Sequence, residues 1–302
     1  MKIYNNILEL TGDTPLVRLS KIEEKYNLDV RLLVKLEMFN PSGSVKIRAA
    51  KNMLEKAIEE KMITKDSVVI EPTSGNMGIA LSMACAVMGL KFIAIMPSNM
   101  SIERQKLIKS YGGEIVLTEP KLGMSGAVNK AEELKEKLNG FIPLQFENKY
   151  NTLAHLQTAK EIYNDTLGNV DIIVCGIGTG GTISGIGRYL KAIKDVKIIG
   201  VEPMESPLIT KNEAAPHKIQ GIGANFIPKN LDLNVVDKVL TVSSLEAVKM
   251  MSDLSNNEGI FCGISSGAAL KGAIDYIKEN NVKDKTIVVI LPDTGERYLS
   301  LD

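Results

Sequence analysis

The sequence predicts an α/β fold of two domains, each built on a mainly parallel twisted sheet flanked by helices. Three observations predict it. Short β-rich runs such as Val68-Val69-Ile70 and Ile172-Ile173-Val174 read as strands buried on both faces, the habit of parallel sheets. Helix-length patterns separate these runs with some regularity, which calls for right-handed crossovers. At 302 residues the chain is long for one core, yet it holds no low-complexity segment and no flexible linker. Two packed domains follow, with ligands expected at the carboxyl ends of the strands.

Taken in order, Leu10-Thr11-Gly12-Asp13-Thr14-Pro15-Leu16 reads as a turn and a short apolar segment. Strands are expected at 31–38, 67–71, 91–96, 114–118, 141–145, 171–175, 197–202, 238–242 and 285–291. Helices are expected at 45–61, 76–89, 101–111, 124–138, 151–167, 182–194, 245–256 and 266–280.

Composition narrows the function classes. Apolar residues make up 44% and charged residues 24%, enough for a large buried core. Lys plus Arg balances Asp plus Glu at 36 each, so no global field favours nucleic acid or an anionic membrane. The N-terminus lacks a signal-peptide pattern, and no apolar run approaches the roughly 20 residues that span a bilayer. Cytoplasmic residence is the expectation. Cys85, Cys175 and Cys262 are far apart and set in apolar sequence, so they read as buried small hydrophobes. His155 and His217 lack partners at ligand spacing, and no metal site is expected.

Four segments carry chemistry. In Asn40-Pro41-Ser42-Gly43-Ser44-Val45-Lys46, turn residues end a strand, and Ser44 is placed to cap a helix beginning near Val45. Lys46 then lies in the first turn, where the positive end of the dipole disfavours a cation; a lysine with a depressed pKa is a better amine nucleophile. A solvated helix lysine is the competing reading. Glu71-Pro72-Thr73-Ser74-Gly75-Asn76-Met77-Gly78 opens a helix with hydroxyls and free N–H groups, a nest for a carboxylate or an ordinary capped turn.

Gly176-Ile177-Gly178-Thr179-Gly180-Gly181-Thr182 has the composition of a phosphate cradle. It also matches the dinucleotide fingerprint through Gly176, Gly178 and Gly181, with Glu202 about 20 residues on, so a nicotinamide enzyme competes. The serines of Cys262-Gly263-Ile264-Ser265-Ser266-Gly267-Ala268 serve as helix caps or offer a neutral hydroxyl to a ring nitrogen.

A single-phosphate cradle, an amine nucleophile, a carboxylate nest and a neutral hydroxyl together describe pyridoxal 5′-phosphate chemistry. A nicotinamide enzyme would leave Lys46 and the 73–78 nest without a purpose. The motifs Thr14-Pro15-Leu16-Val17, Asn40-Pro41-Ser42 with Ser44-Val45-Lys46, Thr73-Ser74-Gly75-Asn76 and Gly178-Thr179-Gly180-Gly181-Thr182 occur in order. Gln220-Gly221-Ile222-Gly223-Ala224, Gly263-Ile264-Ser265-Ser266-Gly267 and Gly295-Glu296-Arg297-Tyr298 follow them. Across nearly its whole length the sequence resembles the cysteine synthase (O-acetylserine sulfhydrylase) and cystathionine β-synthase family, the fold type II pyridoxal phosphate enzymes related to the tryptophan synthase β chain.

The resemblance implies a larger cofactor-binding domain, 1–34 with 149–302, and a smaller mobile domain, 35–148, usually in a homodimer. By the same resemblance Lys46 would carry the cofactor and shuttle the α-proton. Asn76 would bond the ring hydroxyl, Gly178, Thr179, Gly180, Gly181 and Thr182 would hold the phosphate, and Ser265 would face the pyridine nitrogen. The substrate contacts would be Thr73, Ser74, Gly75, Asn76, Met77, Gln145 and Gly221. The family reaction removes a β-substituent from an amino acid, through an aminoacrylate that a small nucleophile then attacks. The chain ends soon after Tyr298, and regulation of the cystathionine β-synthase type is not expected.

The sequence departs from the usual pattern at Ile47, Met77, Lys149-Tyr150 and Asn225, the last three on loops expected at the substrate's side-chain end. Three readings follow. One is cysteine synthesis from O-acetylserine and sulfide. The second consumes cysteine and expels sulfide, with water or a thiol as second nucleophile. Water at neutral pH needs a general base, and Asp232 is the candidate, whereas hydrosulfide is already an anion. The third is a binding protein without turnover, against which Lys46 stands.

Overall fold

The computed structural model describes residues 3–300. The chain runs through β1 (Leu16–Arg18), α1 (Ser20–Tyr26), β2 (Arg31–Leu36), α2 (Lys46–Glu59), β3 (Val68–Pro72), α3 (Asn76–Met88) and β4 (Lys91–Pro97). It continues with α4 (Ile102–Ser110), β5 (Glu114–Thr118), α5 (Gly123–Leu138), α6 (Lys149–Asp165), β6 (Ile172–Gly176) and α7 (Gly181–Ile193). The last elements are β7 (Lys197–Pro203), α8 (Leu208–Lys211), β8 (Lys238–Val242), α9 (Ser244–Glu258), α10 (Ile264–Glu279) and β9 (Thr286–Leu291).

Two compact units result. One comprises the described residues to Thr11 with Lys46–Asn151, the other Gly12–Val45 with Thr152 onward. The sequence places the divisions at 34/35 and 148/149; the observed first division lies later because β2 pairs along its whole length with β9 of the larger unit.

The larger unit holds a six-stranded sheet in the order β1-β2-β9-β6-β7-β8, parallel except for the edge strand β1. The other unit has three parallel strands, β3-β4-β5. The all-apolar runs behave as expected: every residue of β9 is buried, and so are four of the five in β6. In the smaller unit α3 is apolar on every side, and Met77 through Cys85 are all buried.

The structure departs from some expectations. Residues 141–145 form no strand; Phe141 bridges Val69, and then Leu144 takes φ +57°, which breaks an extended run. The segment after Pro15 pairs as β1 and leads into α1, a helix not foreseen. Ser44 caps nothing: its buried hydroxyl has no partner, and its backbone bridges Asp293 as an extended residue. The three cysteines are free and buried, as the sequence implies. Burial pushes the Cys85 thiol up to about 12, and burial with the nearby Asp293 does the same for Cys262. Both are inert as nucleophiles at neutral pH. No helix among the described residues is long and apolar enough to cross a membrane.

Candidate active site

Three helices open on a glycine N-cap, a residue with no side chain of its own to close the first turn. The N-cap residues are Gly75 for α3, Gly180 for α7 and Gly263 for α10. By contrast, Ser101 caps α4 and Ser243 closes α9 with a full capping box. The capping role open to Thr73, Ser74, Ser265 and Ser266 is therefore not taken. Backbone N–H groups at an uncapped N-terminus, with the positive end of the dipole, suit an anion.

In the smaller unit, Lys46 is the first residue of α2 and is half-buried. The 73–77 loop follows β3 and is pinned from below: Thr73 N–H donates to Ile95 O at 2.9 Å, and Arg104 Nη1 donates to Ser74 O at 3.3 Å. Gly75 N–H donates to Thr73 Oγ1 at 3.3 Å, and Asn76 begins α3. Met77 was expected beside the substrate; its side chain lies in the apolar core instead, 1% exposed, so what it offers a ligand is backbone N–H. Gln145 is buried after the left-handed Leu144, and its carbonyl accepts from Asn151 Nδ2 at 2.7 Å. Tyr150 is directed to Glu60 at the end of α2.

Glu71, two residues before Thr73, is buried with Oε2 lacking any partner. Burial pushes its carboxyl from 4.5 up to about 7, against the opposing hydrogen bonds from the backbone N–H groups of Gln145 and Leu144. A carboxyl whose folded pKa is raised favours the fold fully below its unfolded value, and that contribution fades as pH rises from about 4.5 through about 7. Glu71→Gln, neutral at every pH, is expected to gain about 3 kcal/mol relative to wild type between pH 4.5 and pH 8. Urea denaturation of both proteins at the two pH values checks this; a pH-independent difference would refute it.

In the larger unit, the 176–182 loop lies against the 219–224 segment. Gly223 N–H donates to Ile177 O at 3.0 Å, and a Cβ on Gly178 would fall 2.3 Å from Gly221 O. Gly180 holds φ +79° under Leu231. Thr179 is buried, and its Oγ1 accepts from Gly181 N–H at 3.4 Å. Ser265, 2% exposed, stands beside Gly221: a Cβ there would be 3.6 Å from its Oγ. The structure thus gathers the cradle, Gly221 and Ser265 within one unit.

Sequence reasoning missed His155. Buried in α6, it sits 3.2 Å from Thr182 Oγ1 through Nε2 and 3.2 Å from Thr158 Oγ1 through Nδ1, bracing a cradle threonine. A contact spanning 27 residues leaves no local pattern to read. Asp232 has its own employment. Its carboxylate accepts from Arg188 Nε at 2.8 Å and from Asn234 N–H at 3.2 Å. Arg188 holds its pKa below the usual carboxylate range, which weakens it as a base. Asn225, at φ +61°, accepts from Ser206 Oγ at 2.8 Å.

The family model described as pyridoxal-phosphate dependent enzyme matches residues 7–293. The chain belongs to that family. A cysteine synthase of Buchnera aphidicola is 48% identical, covering 100% of this chain and 98% of its own. A cysteine synthase structure from Entamoeba histolytica superposes with TM-score 0.97 at 44% identity, covering 100% of this chain and 90% of its own. A hydrogen sulfide-producing enzyme from Fusobacterium nucleatum gives TM-score 0.94 at 44% identity, covering 98% and 100%. The fold is theirs.

The residues present fit the family's cofactor. The 176–182 loop packs directly on the Gly221 backbone only because Gly178 lacks a Cβ, and it ends at the glycine N-cap of a 13-residue helix. Gly178→Ala must push the loop off Gly221 and is expected to weaken pyridoxal phosphate binding at least tenfold, about 1.4 kcal/mol. Titration of the cofactor-free protein tests this; unchanged affinity would mean the loop does not hold the phosphate.

Proposed function

We propose that this protein catalyses pyridoxal phosphate-dependent β-replacement on an amino acid, making cysteine from O-acetylserine and sulfide. The observation that carries the reading is the full-length identity with cysteine synthases, joined to the uncapped helix starts at Gly75 and Gly180. When bound, the cofactor acts as an electron sink for the bond broken at the α-carbon. Lys46 would hold it and carry the α-proton on its amine. Gly178 to Thr182 would bind the phosphate and Asn76 the ring hydroxyl, while the neutral Ser265 faces the ring nitrogen. Thr73, Ser74, Gly75, Asn76, the Met77 N–H, Gln145 and Gly221 would bind the substrate. Hydrosulfide needs no base, since it is an anion at neutral pH. The protein would work as a homodimer in the cytoplasm.

A second reading is cysteine consumption with sulfide release, favoured by the likeness to the Fusobacterium enzyme. If water were then the nucleophile, its base would have to be stronger than Asp232, which Arg188 keeps anionic and weakly basic. Both readings are separated by one pair of assays on purified protein. Cysteine formed from O-acetylserine and sulfide, with little sulfide from cysteine alone, supports synthesis. Rapid sulfide release from cysteine alone supports consumption.

A further inference from the structure

The segment that follows β9, Pro292–Tyr298, has no part in the reading above, yet it touches both chain segments that lead into the expected cofactor contacts. On one side it docks the approach to Lys46. Val45 N–H donates to Pro292 O at 2.8 Å, Ser44 bridges Asp293, and Thr294 N–H donates to Gly43 O at 3.2 Å. Arg297 Nη2 donates to Ser42 O, and this contact requires Gly43: at φ +70° a Cβ there would lie 2.9 Å from the guanidinium. On the other side the same residues dock the approach to Ser265. Gly263 N–H donates to Asp293 O at 3.0 Å, Cys262 bridges Thr294, and Gly295 N–H donates to Phe261 O at 3.1 Å.

The side chains repeat the pattern of the backbone. Asp293 Oδ1 approaches Gly263 so closely that a Cβ would meet it at 2.1 Å, and Asp293 Oδ2 accepts from the Tyr298 hydroxyl at 2.6 Å. Ser42, Ser44, Asp293, Arg297 and Tyr298 are each at most 6% exposed. A core needing only to be filled would not bury so many polar groups around two glycines.

The geometry points to Pro292–Tyr298 as a two-sided clamp, with Arg297 and Tyr298 as positioning residues that fix the Ser42–Val45 approach and the Ser265 loop relative to one another. It rests on the reading of Lys46 and Ser265 as the covalent and ring-nitrogen contacts. A displacement of about 1 Å between such groups costs up to about a hundredfold in rate. None of the clamp contacts named above falls on the 73–77 loop, so turnover is expected to suffer more than substrate affinity.

Arg297→Lys and Tyr298→Phe test this in the holoenzyme. Tyr298→Phe removes one hydroxyl without changing the packed volume, so it folds even where the Arg297 variant does not. Expected are an altered absorbance and fluorescence of the bound pyridoxal phosphate, an altered pH dependence of that absorbance, and a fall of about tenfold or more in kcat with KM within about twofold. Loss of thermal stability with unchanged cofactor spectra and kcat would overturn the clamp and leave the reading of Lys46 standing. Wild-type protein that takes up no pyridoxal phosphate would overturn both.

Discussion

Replacing Lys46 by alanine is expected to lower turnover roughly a thousandfold or more, because it removes both the amine that holds the cofactor and the group that moves the α-proton. The fold should survive. Lys46 opens α2, where a cation opposes the helix dipole and alanine is the better helix former. The core of that helix is supplied by Ile47, Ala49, Ala50, Met53 and Leu54, which the substitution does not touch. Steady-state rates and thermal unfolding of Lys46→Ala check the two halves of the expectation. A variant that unfolds, or one that keeps a tenth of wild-type activity, would contradict it.

The second large effect concerns stability. Lys35 lies in β2 with 0% exposure, its Nζ 3.0 Å from Glu161 Oε2 and 3.6 Å from Asp165 Oδ2 and bonded to Thr14 O. Glu161 is itself buried on α6, so removing the ammonium takes the opposite charge away from a carboxylate in the interior. Lys35→Met, close in length and apolar, is expected to cost about 3–5 kcal/mol, the range for breaking a buried pair by deleting one partner. Removing the charge on the other side as well, in Lys35→Met with Glu161→Gln, should recover much of the loss. Urea denaturation reports both. A single variant within about 1 kcal/mol of wild type would show that water reaches Glu161 and that the pair is not buried in effect.

Much of this was legible in the sequence because it is local chemistry. The loops at 73–78, 176–182 and 262–268 announce themselves by glycines and hydroxyls between a β-rich run and a helical one, and each opens a helix on a glycine N-cap. The parallel sheets were legible from runs such as Ile172-Ile173-Val174, buried on both faces. What failed turned on tertiary partners. Phe141 makes one bridge, and the chain then turns at Leu144, so an apolar run of strand length is not a strand. Ser44 is a residue type that caps helices, but α2 begins only at Lys46, and Ser44 instead bridges Asp293, almost 250 positions away, with its hydroxyl left without a partner. Other contacts are equally hidden from the sequence: the Met77 side chain packs in the core, Asp232 accepts from Arg188, and His155 sits beside Thr182. Each is fixed by a residue or a cluster that no window of sequence contains.

The most direct test of the central claim is to reduce the purified, cofactor-loaded protein with borohydride and map the modified peptide by mass spectrometry. A single pyridoxyl adduct is expected, on the peptide containing Lys46, and none in Lys46→Ala. An adduct on another lysine, or no adduct in protein that makes cysteine, would contradict it.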